Sequence, residues 1–421
     1  MAKKIRKRNG SIVEFDSNKI RSAIHKANCA VKEEIMSDKV LDRLTGEVAG
    51  RFAGDAVIPT VEQVQDAVED RLIAADFAKT AKAYILYRAE HTKIRQAEGD
   101  LMDIYHQLTF RDSKDVDLKR ENANIDADTA MGTMLKYGSE GSKYFVNNYI
   151  LPKDIAAAHL NGDIHIHDED FYMLTETCCQ INLLKLFHGG FCTGHGTLRE
   201  PQDISSYAAL ACIAIQANQN EMHGGQSIPN FDYCMAPGVA KTFRRVYFQE
   251  LGKYIQAVHG MPYDDTDALM KAVKKDLGAD ITMNSQQEYG KKLRNYLPAH
   301  QQKGGFEPIL ADETERAHRF ACENAMRITN RITYQAMEAL IHNLNTMNSR
   351  AGAQVPFSSL NYGTDTSPEG RMTMKNLLLA TEAGLGEGET PIFPVQIFKV
   401  KEGVNYNPGD PNYDLFKLAV K

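Results

Sequence analysis

The sequence lacks any signal that would direct the chain into or across a membrane. Its 421 residues contain no apolar run long enough to span a bilayer, and the longest, residues 207–215, is far too short. The basic start of the chain is not followed by the apolar core of a signal peptide. We therefore expect a soluble, cytoplasmic protein with no membrane partner.

Paired cysteine spacing is also missing. No C-x-x-C pair occurs, although a zinc ribbon or a thioredoxin-like motif requires one. The same absence argues against the disulfide framework of a small secreted domain. We predict no metal site and expect every thiol to be free. The seven cysteines are Cys29, Cys178, Cys179, Cys192, Cys212, Cys234 and Cys322.

Positive charge is not in excess, which limits the partners. The chain has 49 Lys and Arg residues against 55 Asp and Glu residues, a net charge of -6. We expect no nucleic-acid partner held by overall charge, and any anion site must be local. No G-x-x-x-x-G-K-[ST] motif is present, so a P-loop is excluded. With 43% apolar and 25% charged residues the composition is globular, and the length favours two or three domains.

The chain up to about residue 95 reads as a separate small domain. Asn9 and Gly10 lie between two short extended runs and predict a β-hairpin, because both residues tolerate the positive φ of a tight turn. Apolar residues at the spacing of one helix face then predict four helices. The third begins at Thr60, whose hydroxyl can accept from the backbone of Gln63 while the Gln63 side chain reaches back.

Basic residues concentrate on this hairpin, and we expect something negative to bind there. A triphosphate is the sharpest candidate. A solvated basic strand, or an arm that touches nucleic acid, is the alternative. The basic residues before the first acid are Lys3, Lys4, Arg6, Lys7 and Arg8, and Lys19 and Arg21 follow on the first helix.

Three motifs in this region resemble the ATP-cone, a regulatory nucleotide-binding module at the start of many ribonucleotide reductases. They are K-R-N-G-x-x-x-x-F-x-x-x-K-I, P-T-x-x-x-V-x-x-x-V-x-x-x-L and A-x-A-Y-I-x-Y-R, within residues 3–95. The resemblance implies ATP and dATP as allosteric effectors. It also implies a nucleotide site that contains Lys7, Arg8, Lys19, Thr60 and Arg88.

Beyond a boundary placed near Arg95, helical and short β patterns alternate without a fixed repeat, which predicts a mixed α/β domain over residues 96–421. The segment Gly162-Asp163-Ile164-His165-Ile166-His167-Asp168 alternates as a strand does. His165 and His167 would then share one side with Asp163. This pattern indicates an active site or a metal, although spacing supplies no further ligand; buried, hydrogen-bonded histidines are the alternative.

Cys178 and Cys179 follow closely, in another predicted strand. Adjacent side chains of a strand face opposite ways, so at most one of the two thiols can point into a given cavity. One thiol is then chemical and the other packs, or both pack as small apolar residues.

Six further segments are similar, in order and spacing, to the anaerobic, glycyl-radical class of ribonucleotide reductase, class III. They are GDIHIHDEDFY, TCCQINLLKLF, GGFCTGHG, SYAALACIAIQANQNEMHGGQSIPNFD, RAGAQVPFSSLNYGTDTS and PIFPVQIFKVKEGVNYNPGDPNYDLFKLA. With the cone, the resemblance covers nearly the whole chain. It implies that residues 96–421 form the first part of a ten-stranded α/β barrel of the glycyl-radical enzyme type.

This resemblance implies the reduction of ribonucleoside triphosphates to deoxyribonucleoside triphosphates. In the family a glycyl radical oxidises a cysteine to a thiyl, which takes the 3′-hydrogen of the ribose, and a strand cysteine returns hydrogen to the 2′-carbon. The pattern C-x-x-I-[DN]-L matches Cys178 to the strand cysteine and makes Cys179 its packing partner. His165, His167, Cys179 and Asn361 are the expected active-site neighbours.

The resemblance also implies reductants, partners and effectors. We expect electrons from formate, or from a thiol-based reductant in some subgroups, and activation by a radical-SAM enzyme. A homodimer or higher homo-oligomer is expected, with a deoxynucleotide specificity effector beside the apolar helix at residues 205–219. Asn345, Arg350 and residues 354–361 lie in a segment expected to approach the substrate.

In the family, the thiyl cysteine, a zinc site and the radical glycine follow the stretch that matches PNYDLFKLA. The last cysteine of this sequence is Cys322. We therefore expect an N-terminal part of a longer enzyme, which is inactive by itself. The alternative is a regulatory nucleotide-binding protein that has kept the cone and lost catalysis.

Overall fold

The computed structural model of the chain describes residues 4–7, 11–31, 33–53, 58–110, 129–300, 308–350 and 353–421. The chain divides into two compact units, Met1–Arg111 and Asp112–Lys421.

The first unit is a β-hairpin followed by four helices among its described residues, as the sequence predicts. The strands pair antiparallel, with Lys4 opposite Glu14 and Arg6 opposite Ile12. The predicted Asn9-Gly10 turn lies outside the described residues. The elements are β1 (Lys4–Arg6), β2 (Ile12–Glu14), α1 (Ser17–Cys29), α2 (Asp38–Gly50), α3 (Val61–Ala74) and α4 (Ala78–Phe110).

Helix α3 begins where the sequence predicts. The capping box of α3 is confirmed: Thr60 Oγ1 accepts the Gln63 N–H at 3.2 Å, and Gln63 Oε1 accepts the Thr60 N–H at 2.9 Å. Apolar side chains from α1, α2 and α3 form the core, including the buried Ile24, Leu41 and Leu72. The boundary predicted near Arg95 falls inside α4, because this helix continues to Phe110.

The start of α4 is held by side chains from the loop after α1. The first N–H groups of a helix have no partner within the helix. The Glu34 carboxylate accepts the N–H of Lys79 at 3.0 Å and the N–H of Thr80 at 2.9 Å. The buried Thr80 hydroxyl donates to the same carboxylate at 2.9 Å and accepts from Asn28 Nδ2 at 3.0 Å. This network fixes α4 against the end of α1.

The second unit is a mixed α/β domain with one parallel sheet. Its strands are β3 (Cys178–Gln180), β4 (Phe191–Cys192), β5 (Thr197–Leu198), β6 (Gly225–Ile228), β7 (Ser358–Tyr362) and β8 (Val395–Phe398). Its helices are α5 (Ala130–Phe145), α6 (Lys153–Leu160), α7 (Leu183–Phe187), α8 (Ile204–Asn218), α9 (Phe231–His259), α10 (Tyr263–Leu277), α11 (Gln286–Ala299), α12 (Ala311–Thr346), α13 (Pro368–Ala383) and α14 (Tyr413–Val420). The helix predicted at residues 205–219 is confirmed as α8.

The sheet has the strand order β3-β6-β7-β8, and all neighbours are parallel. Parallel neighbours need crossover connections, which the long helices between β6 and β7 and helix α13 between β7 and β8 provide. One face of the sheet packs on the apolar core, with Ile228, Leu360 and Tyr362 fully buried. Strands β4 and β5 form a separate antiparallel hairpin.

The prediction of a strand at residues 162–168 is wrong, because this segment forms the turn that follows the C-terminus of α6. Gly162 has a φ of +82°, and its N–H donates to the carbonyl of His159 at 3.1 Å. The N–H of Asp163 donates to the carbonyl of Ala158 at 2.8 Å. These backbone groups satisfy the helix C-terminus and are not available to a sheet. The alternating segment is therefore a turn that caps the C-terminus of α6.

A buried carboxylate ties the end of β7 to the start of α9. Asp232 is fully buried, and its Oδ2 atom accepts three backbone N–H groups, from residues 363–365, at 2.9 to 3.0 Å. Asn405 and Asn412 donate to the carbonyl of Gly363 at 2.8 and 3.1 Å. Side chains thus bind both the N–H groups and a carbonyl group of the turn after β7, which fixes its conformation.

Candidate functional site

The sheet has one face that the core does not cover. In-register residues of parallel strands point to the same side, and successive residues alternate between faces. Cys179 therefore shares the core face with Gln226, whereas Cys178 shares the other face with Gly225. We call this second surface the open face. Its strand residues are Cys178, Gln180, Gly225, Ser227, Ser359, Asn361, Val395 and Ile397, and all of them are exposed or partly exposed.

The two adjacent thiols have different surroundings, as the predicted alternation requires. Cys178 is exposed on the open face and is not enclosed in a cavity by the described residues. Cys179 is partly buried against the apolar core. Its Sγ atom accepts a hydrogen bond from Asn218 Nδ2 at 3.0 Å. Partial burial raises the pKa of the Cys179 thiol, although the Asn218 bond acts in the opposite direction.

Asn361 lies on the open face together with Cys178, two strands away. Ser227 lies between them on β6 and donates its hydroxyl to Asn361 Oδ1 at 3.3 Å. This bond orients the Asn361 amide and leaves its N–H donors directed away from Ser227. The face therefore offers a thiol, two serine hydroxyls and the amides of Gln180 and Asn361, which suits a ligand with several hydroxyl groups.

Arg350, which we expected to approach the substrate, is fully occupied within the protein. Its Nε atom donates to the carbonyl of Gln219 at 3.0 Å, and Nη2 donates to the carbonyls of Gln219 and Met222. Nη1 donates to Gln354 Oε1 at 2.9 Å and lies 3.3 Å from His223 Nδ1. These contacts use all five N–H donors of a guanidinium. Arg350 thus closes the C-terminal end of α8, where a cation is favourable.

Asn345 is also used internally. Its Oδ1 atom accepts the N–H groups of Ile392 and Phe393 at 2.9 and 3.0 Å. Its Nδ2 atom donates to the carbonyls of Ile341 and Phe393. Of the polar residues expected in this segment, Ser359 and Asn361 are the ones whose side chains lie on the open face.

His165 and His167 are exposed, so the alternative of buried histidines is not observed. Their ring centroids are 5.9 Å apart. His167 Nε2 lies 3.3 Å from Asp168 Oδ2, and the His167 side chain is 79% exposed. Asp168 Oδ1 in turn lies 3.3 Å from Nε2 of the buried His223. Asp168 thus connects His167 to His223, which lies two residues before β6.

Sequence reasoning missed His223 and Gly224 as structural residues of this region. In the sequence the pair is part of a Gly-rich stretch, residues 223–227, and glycines allow a backbone to approach a neighbour or a ligand closely. In the structure the close approach is internal, because a Cβ at Gly224 would lie 1.8 Å from the carbonyl oxygen of Thr177. Gly224 has a φ of +88°, which also favours glycine. The spacing to Thr177 could not be read from the sequence.

In the first unit, the hairpin pairs with the start of α3. The Arg6 N–H donates to the carbonyl of Pro59 at 2.9 Å, and Arg6 and Thr60 form an isolated parallel bridge. This contact brings Lys7, which is exposed, next to the N-terminus of α3. Lys19 is exposed in the first turn of α1. Helix N-termini and ammonium groups both favour anions, so each of these two positions is suited to phosphate.

Arg8 lies outside the described residues. Arg88 is placed differently from the other predicted nucleotide contacts, because three carboxylates surround its guanidinium. They belong to Glu62, Asp66 and Glu69, at 2.9, 2.5 and 2.8 Å. Partial burial lowers the pKa of Arg88, but these hydrogen bonds outweigh it and raise the pKa above its ordinary value. In this arrangement Arg88 fastens α4 to α3.

Within the described part of the chain, no group of three or more His, Cys, Asp or Glu side chains is placed to hold a metal ion. None of the described helices is both long and apolar enough to cross a membrane.

Two family models match the chain. The model for anaerobic ribonucleoside-triphosphate reductase matches residues 121–421, and the model for the ATP cone domain matches residues 3–93. The two matches together cover both structural units.

Among curated relatives, the chain is 26% identical to an anaerobic ribonucleoside-triphosphate reductase of Haemophilus influenzae, over 99% of this chain and 50% of the relative. It is 25% identical to the Escherichia coli protein of the same name, over 100% of this chain and 50% of the relative. The chain thus spans about half the length of these relatives. A solved Thermotoga maritima anaerobic ribonucleotide reductase, in complex with dATP and CTP, aligns at 12% identity with a TM-score of 0.27, over 68% of this chain and 48% of its own.

Proposed function

The chain belongs to the family of anaerobic ribonucleoside-triphosphate reductases, and from this premise we propose that it acts in the reduction of ribonucleoside triphosphates to deoxyribonucleoside triphosphates. In this proposal the second unit contributes the strand cysteine of the reaction, and the first unit regulates it by binding ATP and dATP. The match of the first unit to the ATP cone supports the regulatory part.

The observation that carries the catalytic part is the arrangement of Cys178 and Asn361 on one uncovered sheet face, while Cys179 packs against the core. Loss of the 2′-hydroxyl from an unactivated carbon requires a radical. An S–H bond is weak enough to be broken and reformed in such a reaction. We propose that Cys178 returns hydrogen to the 2′-carbon and that Asn361, two strands away and four residues farther along the face, hydrogen-bonds a polar group of the same nucleotide beyond the reacting ribose carbon.

We further propose that the four-stranded parallel sheet is part of a ten-stranded α/β barrel of the glycyl-radical type, with the open face directed to its interior. The exposed thiol of Cys178 and the exposed apolar side chains of Val395 and Ile397 on that face support this, because a solvated outer face would carry mostly polar residues. Formate is the proposed reductant, and a radical-SAM enzyme the proposed activating partner. We propose a homo-oligomer with a deoxynucleotide effector beside α8.

The catalytic proposal is tested with two adjacent variants. In the activated reductase that contains this chain, Cys178→Ser is expected to abolish deoxynucleotide formation, because a hydroxyl does not give up hydrogen to a carbon radical. Cys179→Ser is the matched control and is expected to retain activity. The reverse result would assign the role to Cys179, and full activity in both variants would reject it for the pair.

The regulatory proposal is tested by calorimetry with ATP and dATP. Lys7→Ala is expected to weaken binding by roughly tenfold, because one charge-assisted phosphate contact is lost. Lys39→Ala removes the same charge from α2 and serves as the control. Equal affinities of the two variants would show that Lys7 does not contact the phosphates.

A further inference from the structure

The buried ring of His223 connects three separate parts of the second unit. It is 7% exposed. Its Nε2 atom lies 3.3 Å from Asp168 Oδ1, and its Nδ1 atom lies 3.3 Å from Arg350 Nη1. The ring stacks on Phe171, with centroids 3.9 Å apart and planes 8° from parallel. Two polar contacts and one aromatic contact therefore fix its position and orientation.

These contacts determine which nitrogen of His223 carries the proton. A guanidinium is always protonated and can only donate, so Nδ1 must accept from Arg350. The proton of the neutral ring then lies on Nε2, from which it is donated to Asp168. A second proton on Nδ1 would face the Arg350 cation and remove the hydrogen bond between them. The geometry thus requires a neutral ring.

The backbone on either side of this ring holds the residues that precede Cys178. The N–H of His223 donates to the carbonyl of Glu176 at 3.1 Å. Gly224 lies so close to Thr177 that no side chain fits between them. Thr175 Oγ1 donates to the carbonyl of Glu221 at 2.8 Å. The start of β3 is therefore fastened to the segment that His223 anchors.

We propose that His223 is the positioning residue for Cys178, and that it acts only as the neutral ring bridged between Asp168 and Arg350. The inference rests on the proposed role of Cys178, but its test does not. Loss of the bridge frees the start of β3, because the edge strand β3 has only three residues and pairs with β6 alone among the described strands.

The charged groups around the ring predict how this bridge depends on pH. Burial lowers the pKa of His223; Asp168 and Asp170 oppose this effect, and Arg350 adds to it. His167 shares the Asp168 carboxylate. Because the pKa in the closed state lies below its ordinary value near 6.5, the open state takes up the proton first. The bridge is complete above pH 6.5 and is lost as pH falls below it.

Hydrogen–deuterium exchange of the purified chain tests the inference. The measurement is the protection of the peptide that contains β3, at pH 7.5 and pH 5, after correction for intrinsic exchange rates. In the unmodified chain we expect protection to be lower at pH 5 than at pH 7.5. His223→Phe keeps the aromatic contact but loses both hydrogen bonds, so low protection is expected at both pH values.

His223→Gln distinguishes positioning from mere packing. Glutamine can donate towards Asp168 and accept from Arg350, but it does not titrate, so protection should be retained without the fall at pH 5. His167→Gln is the control for the other histidine on Asp168 and should keep the fall. The inference is overturned if His223→Gln shows the unmodified pH dependence, or if His167→Gln abolishes it. Should His223→Phe not fold, the two glutamine variants still decide.

Discussion

The Sγ atom of Cys179 lies 3.0 Å from Nδ2 of Asn218, and this contact fixes which of two adjacent thiols belongs to the core. Cys178 faces the other way and is exposed. Cys178 and Cys179 are neighbours in β3, so a shift of the strand by one residue would exchange the accessible thiol and the thiol that packs in the core. The sequence allowed either assignment on residue type alone, and the helix that supplies Asn218 distinguishes them.

We predict that iodoacetamide modifies Cys178 at least ~10-fold faster than Cys179 at pH 7.5, because the thiolate is the reactive form and only Cys178 is freely accessible. Mass spectrometry of Cys178→Ser and Cys179→Ser chains isolates each thiol of the pair. Cys212, whose pKa burial raises to about 12, is an internal standard that should not react. Equal rates at the two positions would contradict the assigned faces.

Gly224→Ala is predicted to destabilise the second unit by ~3 kcal/mol or more, because its Cβ would lie 1.8 Å from a backbone oxygen. Gly162→Ala is the matched control. That glycine also has a positive φ, +82°, but no atom lies within 4 Å of its added Cβ. It should cost only the backbone strain, ~1–2 kcal/mol. Urea denaturation followed by circular dichroism measures both; similar costs would refute the close approach.

Arg88→Ala is predicted to lower the free energy of unfolding of the first unit by about 1–2 kcal/mol, because three carboxylates lose their shared cation and then repel one another. The loss should shrink in 1 M salt, which screens the repulsion. Arg51→Ala removes a single ion pair whose two side chains are 60% and 66% exposed, and should cost less than ~0.5 kcal/mol. A loss of nucleotide affinity without a loss of stability would instead return Arg88 to the nucleotide site.

Thr80→Val is predicted to destabilise the first unit by ~1–3 kcal/mol, because it removes a buried hydroxyl that both Asn28 and Glu34 use. Thr45→Val is a suitable control. The Thr45 hydroxyl is also buried, but it donates only to the carbonyl one turn earlier, and its loss should cost less than ~1 kcal/mol. Thermal unfolding compares the two. Equal effects would show that the network at the start of α4 adds little.

The elements that local chemistry specifies could be predicted from the sequence. The capping box at Thr60 needs only residues three positions apart, and the helix at residues 204–218 needs only its apolar run. The turn at residues 162–168 could not be predicted, because its alternation of apolar and polar residues is also typical of a strand. In the folded chain, N–H groups at the start of this segment donate to carbonyls at the end of α6 instead. The alternating pattern does not show whether the backbone N–H groups of a segment will cap a helix or pair with a neighbouring strand.

The site was predictable to the extent that it depends on strand alternation. Cys178 and Cys179 lie on opposite faces as expected, and the partners of Arg350 explain why a residue expected near substrate is occupied elsewhere. Apart from the contact with Gln354, its partners lie more than 120 positions away, at Gln219, Met222 and His223. No local pattern encodes such a contact, so the network around His223 appears only in the folded chain.

The three backbone N–H groups that donate to Asp232 matter for any ligand that reaches the rim of the sheet, which we define as the turn after β7, next to Asn361. The turn after β7 is rigid before any ligand arrives, so its conformational entropy is lost during folding and not on association. A ligand that docks there has no loop to order and retains more of its interaction energy as affinity. Asp232 therefore makes the rim preorganised without touching the ligand itself.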